Sequence, residues 1–237
     1  MYILEGNIGA GKSTLITLLG KYLPHVSLCQ EPTHKWNATE NGQSILTLFY
    51  EDQRRWSFTI ETLAMISRVA HYMDEQKNDI DFLLMERSIF SGYYCFAKYG
   101  YQTGFLTDIE WEIYNKWFEF LLSKKAVVPQ GFIYIKTDPE IAYSRIKKRD
   151  RGAEKSITLE YITSIHEYHE QFLEAKIGLS PDLSQVPVLT LDGNHEFENN
   201  IDQLEAHVTA IDSFLMANQI EAVQHHLNRN YSNTPEL

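Results

Sequence analysis

The chain has 237 residues, 43% of them hydrophobic and 22% charged, which suits one compact domain with a sizeable core. A net charge of −11 argues against a nucleic-acid partner held by general electrostatics and points to small molecules met in local basic pockets. Cys29 and Cys95 make no disulfide framework, no apolar run approaches membrane-spanning length, and a chain opening directly on a strand leaves no room for a signal or transit peptide, so a cytoplasmic protein with no membrane partner is expected.

Tyr2-Ile3-Leu4 is an apolar run of strand type. It leads into Gly6-Asn7-Ile8-Gly9-Ala10-Gly11-Lys12-Ser13 and Thr14, the G-x-x-x-x-G-K-S pattern of a P-loop. Leu15, Ile16, Leu18, Leu19 and Leu23 then follow at the spacing of a helix's buried stripe. Strand, glycine loop and helix are the setting the motif requires. Glycines let consecutive N–H groups turn around an anion, and the helix N-terminus adds its positive dipole end. Lys12 should reach the β- and γ-phosphates and Ser13 should sit on Mg²⁺. The pattern predicts a nucleoside-triphosphate site.

Val26-Ser27-Leu28 is a second strand, ending in Cys29-Gln30-Glu31-Pro32 with Trp36 just beyond. Ligand groups collect at strand carboxyl ends in an open parallel sheet. Glu31 sits at such an end, where a carboxylate serves as general base, metal contact or plain surface charge. From Ser44 to Gln76 there is no Pro or Gly and the sequence is helical in type. Glu61 and Arg68 share one face of that helix, seven residues apart, as ligands or as a surface ion pair. Phe82-Leu83-Leu84-Met85 is a third, buried strand running straight into Glu86-Arg87-Ser88. Charges placed there seldom lack a role.

Helices are expected at Phe90 to Lys98 and Asp108 to Lys124, and a fourth strand at Phe132 to Ile135. Asp138-Pro139 reads as an N-cap with Pro at N1. The helix after it becomes basic, with Arg145, Lys147, Lys148, Arg149, Arg151 and Lys155. Such a run is either a solvated helix end or a lid over phosphates, and the P-loop favours the lid. A helix at Leu159 to Ile177, a fifth strand at Val186 to Leu191, a turn at Asp192-Gly193-Asn194 and a last helix at Ile201 to Met216 complete the pattern. The expected architecture is a P-loop α/β domain over residues 1–217. It comprises a five-stranded parallel sheet, helices on both faces, a basic lid at about 145–156 and a mobile tail from 218.

The motifs G-N-I-G-A-G-K-S-T, E-P-T-H-K-W, F-Y-E-D-Q-R-R-W-S-F-T, E-R-S-I-F-S, R-I-K-K-R-D-R-G-A-E and L-D-G-N-H-E-F occur in that order. Together the chain resembles the deoxynucleoside kinases from the P-loop to about residue 216. The resemblance implies ATP and a deoxynucleoside as substrates, Mg²⁺, and a homodimer. It implies Glu31 as the base for the 5′-hydroxyl, Arg87 on the 5′-oxygen and transferring phosphoryl group, and Glu86 beside Ser13 on Mg²⁺. Tyr50 and Glu154 would hold the sugar 3′-hydroxyl, Arg145, Arg149 and Arg151 would clamp from the lid, and Trp36 and Phe96 would wall the base. The segment around His195, Glu196 and Phe197 would receive the donor's adenine.

Three positions depart from the family pattern: Glu61 in place of Gln, Gly92 in place of the Asp that pairs with Arg68 in deoxycytidine and deoxyguanosine kinases, and Ile60 in place of an aromatic. An ionised Glu61 only accepts hydrogen bonds, which matches the adjacent N1–H and N2–H₂ donors of guanine, with Arg68 donating to O6. A purine deoxynucleoside, deoxyguanosine first, is the expected acceptor. A nucleoside monophosphate kinase of thymidylate type is the rival enzyme, disfavoured by the E-P and E-R-S motifs. A non-catalytic nucleotide-binding subunit is the rival that would have been free to lose Lys12, Glu31 or Arg87.

Overall fold

The computed structural model describes residues 1–37, 44–76, 82–124 and 128–232, with side chains omitted at Lys35, Asn37 and 220–232. Five strands form one sheet: β1 (Tyr2–Gly6), β2 (Val26–Cys29), β3 (Phe82–Glu86), β4 (Gly131–Lys136) and β5 (Val188–Asp192), in the order β2-β3-β1-β4-β5. Every pairing is parallel, with Leu4 opposite Glu86 and Gly6 opposite Ile135. All carboxyl ends therefore lie along one edge, and the central β1 delivers its glycine loop there.

The two faces sort by strand alternation. Tyr2, Leu4, Ile133 and Ile135 pack with Leu15 and Leu19 of α1 (Lys12–Tyr22). Ile3, Phe132 and Tyr134 point the other way. They meet Met65 and Val69 from the long helix of residues 53–75, and Phe118 further along the chain. The helical stretch expected from Ser44 to Gln76 is two helices after α2 (His34–Asn37): α3 (Ile45–Glu51) and α4 (Gln53–Glu75). Asp52 breaks it. Its backbone leaves the helical region at φ −143°, ψ 82°, and its carboxylate accepts the Arg55 N–H at 3.0 Å, capping α4 at the residue that ends α3.

After β3 the chain coils through α5 (Ile89–Ser91), a π-helical turn at Gly92–Ala97 and α6 (Lys98–Gln102), longer and looser than the helix expected from Phe90 to Lys98. Next come α7 (Asp108–Lys124) and, past β4, α8 (Pro139–Arg149). Asp138 holds the N-cap position of α8 without a side-chain bond; its own N–H is taken by Asn194 Oδ1 at 2.8 Å. A 3₁₀ turn at Gly152–Glu154 leads to α9 (Leu159–His169), a second π turn at Glu170–Glu174 and α10 (Pro181–Ser184). The last helix, α11, runs Ile201–Ser232, sixteen residues beyond the Met216 end expected from the sequence. A third apolar cluster joins Trp36, Phe49 and Ile60 to Ile146, Ile157 and Tyr161, setting the lid segment over α3 and α4. Among the described residues no helix is long and apolar enough to cross a membrane.

Candidate active site

The P-loop glycines answer a steric demand. Gly9 lies at φ 81°, and a Cβ there would come 2.3 Å from the Ala142 carbonyl of α8. Gly11, the left-handed N-cap of α1, would put a Cβ 2.9 Å from the Phe197 ring. Asn7 fixes the loop, donating to the Ile162 carbonyl and accepting the Ile8 N–H, both at 2.8 Å. Ala10 is buried beneath the loop, and Thr14 lies in the first turn of α1, partly exposed. Lys12 Nζ donates to the carbonyls of Gly6 at 3.0 Å and Asn7 at 2.7 Å, inside the loop. Burial, then Arg87, pushes the ammonium down to about 7 despite Glu86, Glu31 and Glu5. Ser13 Oγ donates to Glu86 Oε1 at 2.8 Å, so a hydroxyl and a buried carboxylate meet at the helix start.

The neighbouring strand ends supply the other charges. Arg87 sits in the left-handed region at φ 62°, a conformation that costs a side chain about 1–3 kcal/mol. Its N–H, bound to the Leu4 carbonyl at 2.9 Å, holds the turn to β1. The guanidinium lies 4.8 Å over the Phe96 ring and 3.5 Å from Glu31 Oε2. Its Nη1 is buried without a hydrogen-bond partner. From α4, Arg68 brings Nε and Nη2 to Glu31 Oε1 at 3.0 and 2.5 Å, and Nη1 to the Ser88 carbonyl at 3.3 Å. Burial pushes the Glu31 carboxyl up, but Arg68 and Arg87 more than offset it and hold it below the usual range. The alternative of a plain surface charge at Glu31 is thereby removed, as is a surface pairing of Glu61 with Arg68.

These groups open onto a cavity of about 620 Å³, within the range of small-molecule sites. Trp36, Tyr50, Ile60, Glu61, Arg68 and Phe96 line it on one side, Lys12, Ser13, Glu86 and Arg87 at its end, and Arg149, Arg151 and Glu154 on the lid. Trp36 is fixed by Nε1–H donating to Ser67 Oγ at 3.2 Å. Burial pushes Glu61 up to about 7, against Arg68 and Arg87. Burial, then Glu154, raises the Tyr50 phenol. Gly92 does not line the cavity; it lies behind Arg68, where a Cβ would stand 2.7 Å from Nη1.

The lid divides. Arg149 grips Glu154 through Nε at 2.9 Å and Nη2 at 2.7 Å, and Arg151 Nη1 stands 3.9 Å away. Arg145 does not face the cavity. It donates to the carbonyls of Gly193, Asn194 and His195 at 2.7, 3.3 and 3.3 Å, tying α8 to the loop after β5. Glu196 turns onto its own loop, accepting the N–H groups of Glu198 and Asn199. Phe197 is buried against Gly11. These three residues gather on another flank of the P-loop and line no part of the cavity.

Two contributors escaped the sequence reading. Glu5 is fully buried in β1 and accepts from Ser88 Oγ at 2.7 Å, bracing the turn that carries Arg87. A charge inside an otherwise apolar strand was its visible signal. Tyr161 lines the cavity with its ring 6.3 Å from Tyr50, and nothing in its helical spacing marks it.

An anion fits this cavity: Lys12, Arg87 with its unpaired Nη1, Arg149 and Arg151 all line it. A P-loop on a parallel sheet, sharing Lys12 and Ser13 with a second ligand cavity, defines a P-loop phosphotransferase. A sequence model described as deoxynucleoside kinase matches residues 2–216. The chain is 32% identical to deoxycytidine kinase 2 of Gallus gallus, covering 90% of this chain and 89% of the relative. It is 31% identical to the mitochondrial deoxyguanosine kinase of Xenopus laevis, covering 83% and 82%, and 33% identical to the mitochondrial thymidine kinase 2 of Homo sapiens, covering 85% and 74%. The chain belongs to the deoxynucleoside kinase family and is an ATP-dependent phosphotransferase.

Proposed function

We propose that the enzyme transfers the γ-phosphate of ATP to the 5′-hydroxyl of a deoxyribonucleoside, with deoxyguanosine or another purine deoxynucleoside preferred. The observation that carries the reading is Glu31: an ionised carboxylate at the junction of the P-loop and the cavity, between Arg68 and Arg87. It takes the proton of the acceptor hydroxyl, while Lys12, Arg87, Arg149 and Arg151 neutralise charge on the phosphoryl group. Mg²⁺ would be held by Ser13 and Glu86, hard oxygen donors already 2.8 Å apart, and would neutralise phosphate charge when bound. Tyr50 and Glu154 hold the 3′-hydroxyl, and Trp36 and Phe96 flank the base. The loop of Glu196 and Phe197, tied down by Arg145, receives the donor's base.

The purine preference rests on Glu61, whose ionised form accepts both donors of guanine's pairing edge. Arg68 spends three of its five N–H groups on Glu31 and Ser88, which leaves two for a base oxygen. The test is a panel of deoxynucleosides with ATP and Mg²⁺, read as kcat/KM on wild type and Glu61→Gln. Deoxyguanosine should lead deoxyinosine on the wild type, with a smaller gap in the variant. A lead by deoxycytidine or deoxyadenosine would remove the preference and leave the reaction class standing.

A homodimer is proposed through α4 and α7. Ile109, Ile113, Trp117 and Phe120 make one exposed apolar stripe along α7, with Ile66 and Met73 exposed on α4. Light scattering should give a dimer that Trp117→Glu splits; a wild-type monomer at micromolar concentration would end the proposal. The free thiols of Cys29 and Cys95 suit a cytoplasmic setting.

A further inference from the structure

Gly92 and Arg68 carry an inference beyond nucleobase contact, resting on the assignment of Glu31 as general base. We propose that Arg68 is a positioning residue for Glu31, holding the base carboxylate in place, and that the missing side chain at position 92 is what lets it reach there. Both Arg68 donors that meet Glu31 bind the same oxygen, Oε1, at 3.0 and 2.5 Å. The third donor is anchored on the Ser88 carbonyl, behind the turn that presents Arg87. The guanidinium also lies 5.5 Å over the Trp36 ring. Oε2 is left facing Arg87 at the cavity end. One carboxylate oxygen is therefore committed to position, and the other is turned toward the group that would hold the acceptor oxygen.

Space at residue 92 makes this arrangement available. A Cβ on Gly92 would stand 2.7 Å from Arg68 Nη1, with the unpaired Tyr114 hydroxyl next at 3.6 Å. Any side chain there must push the guanidinium aside, and an acidic one would draw it away from Glu31. The charged groups around Glu31 are Arg68 and Glu61 on α4, Arg87 and Glu86 at the end of β3, and Lys12 on α1. Only Arg68 makes a two-donor bond to the carboxylate among them.

The test compares kcat and KM for the nucleoside in wild type, Arg68→Met, Arg68→Lys, Gly92→Ala and Glu31→Gln, each checked by circular dichroism. A carboxylate free to swing away from the acceptor oxygen costs turnover more than binding. In Arg68→Met and Gly92→Ala, kcat should fall about tenfold or more with KM for the nucleoside little changed, the scale that loss of orientation commands. Arg68→Lys should recover part of the lost kcat. If Arg68→Met does not fold, Gly92→Ala alone carries the comparison. An unchanged kcat, with only KM for the nucleoside raised, would overturn the proposal and leave Arg68 as a base contact. Near wild-type turnover by Glu31→Gln would instead remove the general-base assignment itself.

Discussion

Of the four carboxylates that line the cavity, two are each paired with two arginines. Glu31 lies at the strand ends with Arg68 and Arg87, whose side chains are 8% and 5% exposed. Glu154 lies in the lid with Arg149 and Arg151, 33% and 59% exposed. The first set hangs from β2, β3 and α4, elements fixed by the sheet and its core. The second hangs from the end of α8 and a 3₁₀ turn. Similar ion pairs thus have different consequences. In the buried set, loss of one partner leaves a desolvated charge, and position is held tightly enough for chemistry. In the lid, Glu154 is as buried as Glu31, and it is the arginines that stand open to water, which screens their side of the pairing and leaves them able to reach a phosphate.

The largest effect that sharpens this contrast is expected at Glu31. Glu31→Gln keeps the shape and removes the base, and kcat should fall by about 10²–10⁴-fold with nucleoside affinity retained. Turnover near the wild-type rate would make the buried set structural and erase the comparison.

Glu61, beside the buried set, tests what desolvation does without a bonded partner. Burial raises it from 4.5 to about 7. Between those values the folded chain holds a proton the unfolded chain has released, so stability falls as pH rises through the window and is level above it. Glu61→Gln removes that slope. The variant should match wild type near pH 4.5 and exceed it by roughly 3 kcal/mol at pH 8. Urea unfolding at the two pH values measures this, and a gap independent of pH would contradict it.

Tyr50 is half-buried, close to the lid carboxylate of Glu154. Tyr50→Phe should lower kcat/KM for 2′-deoxynucleosides roughly two- to tenfold, the worth of one hydrogen bond, and spare 3′-deoxy analogues. Equal losses on both substrates would detach Tyr50 from the sugar. The smallest effect belongs to the lid surface: Arg151→Ala should change unfolding free energy by less than about 0.5 kcal/mol. A loss of several kcal/mol in a denaturant melt would mean that the lid is as fixed as the strand ends.

The chain's own pattern determined a great deal. Glycines before a Lys-Ser pair, between a strand run and a helix stripe, specify a phosphate loop because no other residue allows those backbone angles and approaches. The same local logic marked Glu31, Glu86 and Arg87, since charges directly after buried strands fall on the ligand edge of a parallel sheet. Asp52 was not legible as a break, because an Asp inside a helical pattern and an Asp that caps a new helix look alike until the backbone turns. What only the tertiary structure decided is which charge meets which. Arg68 and Glu61 share a helix face, and spacing alone allowed them to pair. The sheet instead brings Glu31 to Arg68, and the empty volume at Gly92 lets the guanidinium take it. Arg145 was likewise one of three lid arginines by sequence, yet helix phase and the loop after β5 turn it onto three backbone carbonyls. Pairings of this kind depend on distances between segments far apart in the chain, which no local spacing records.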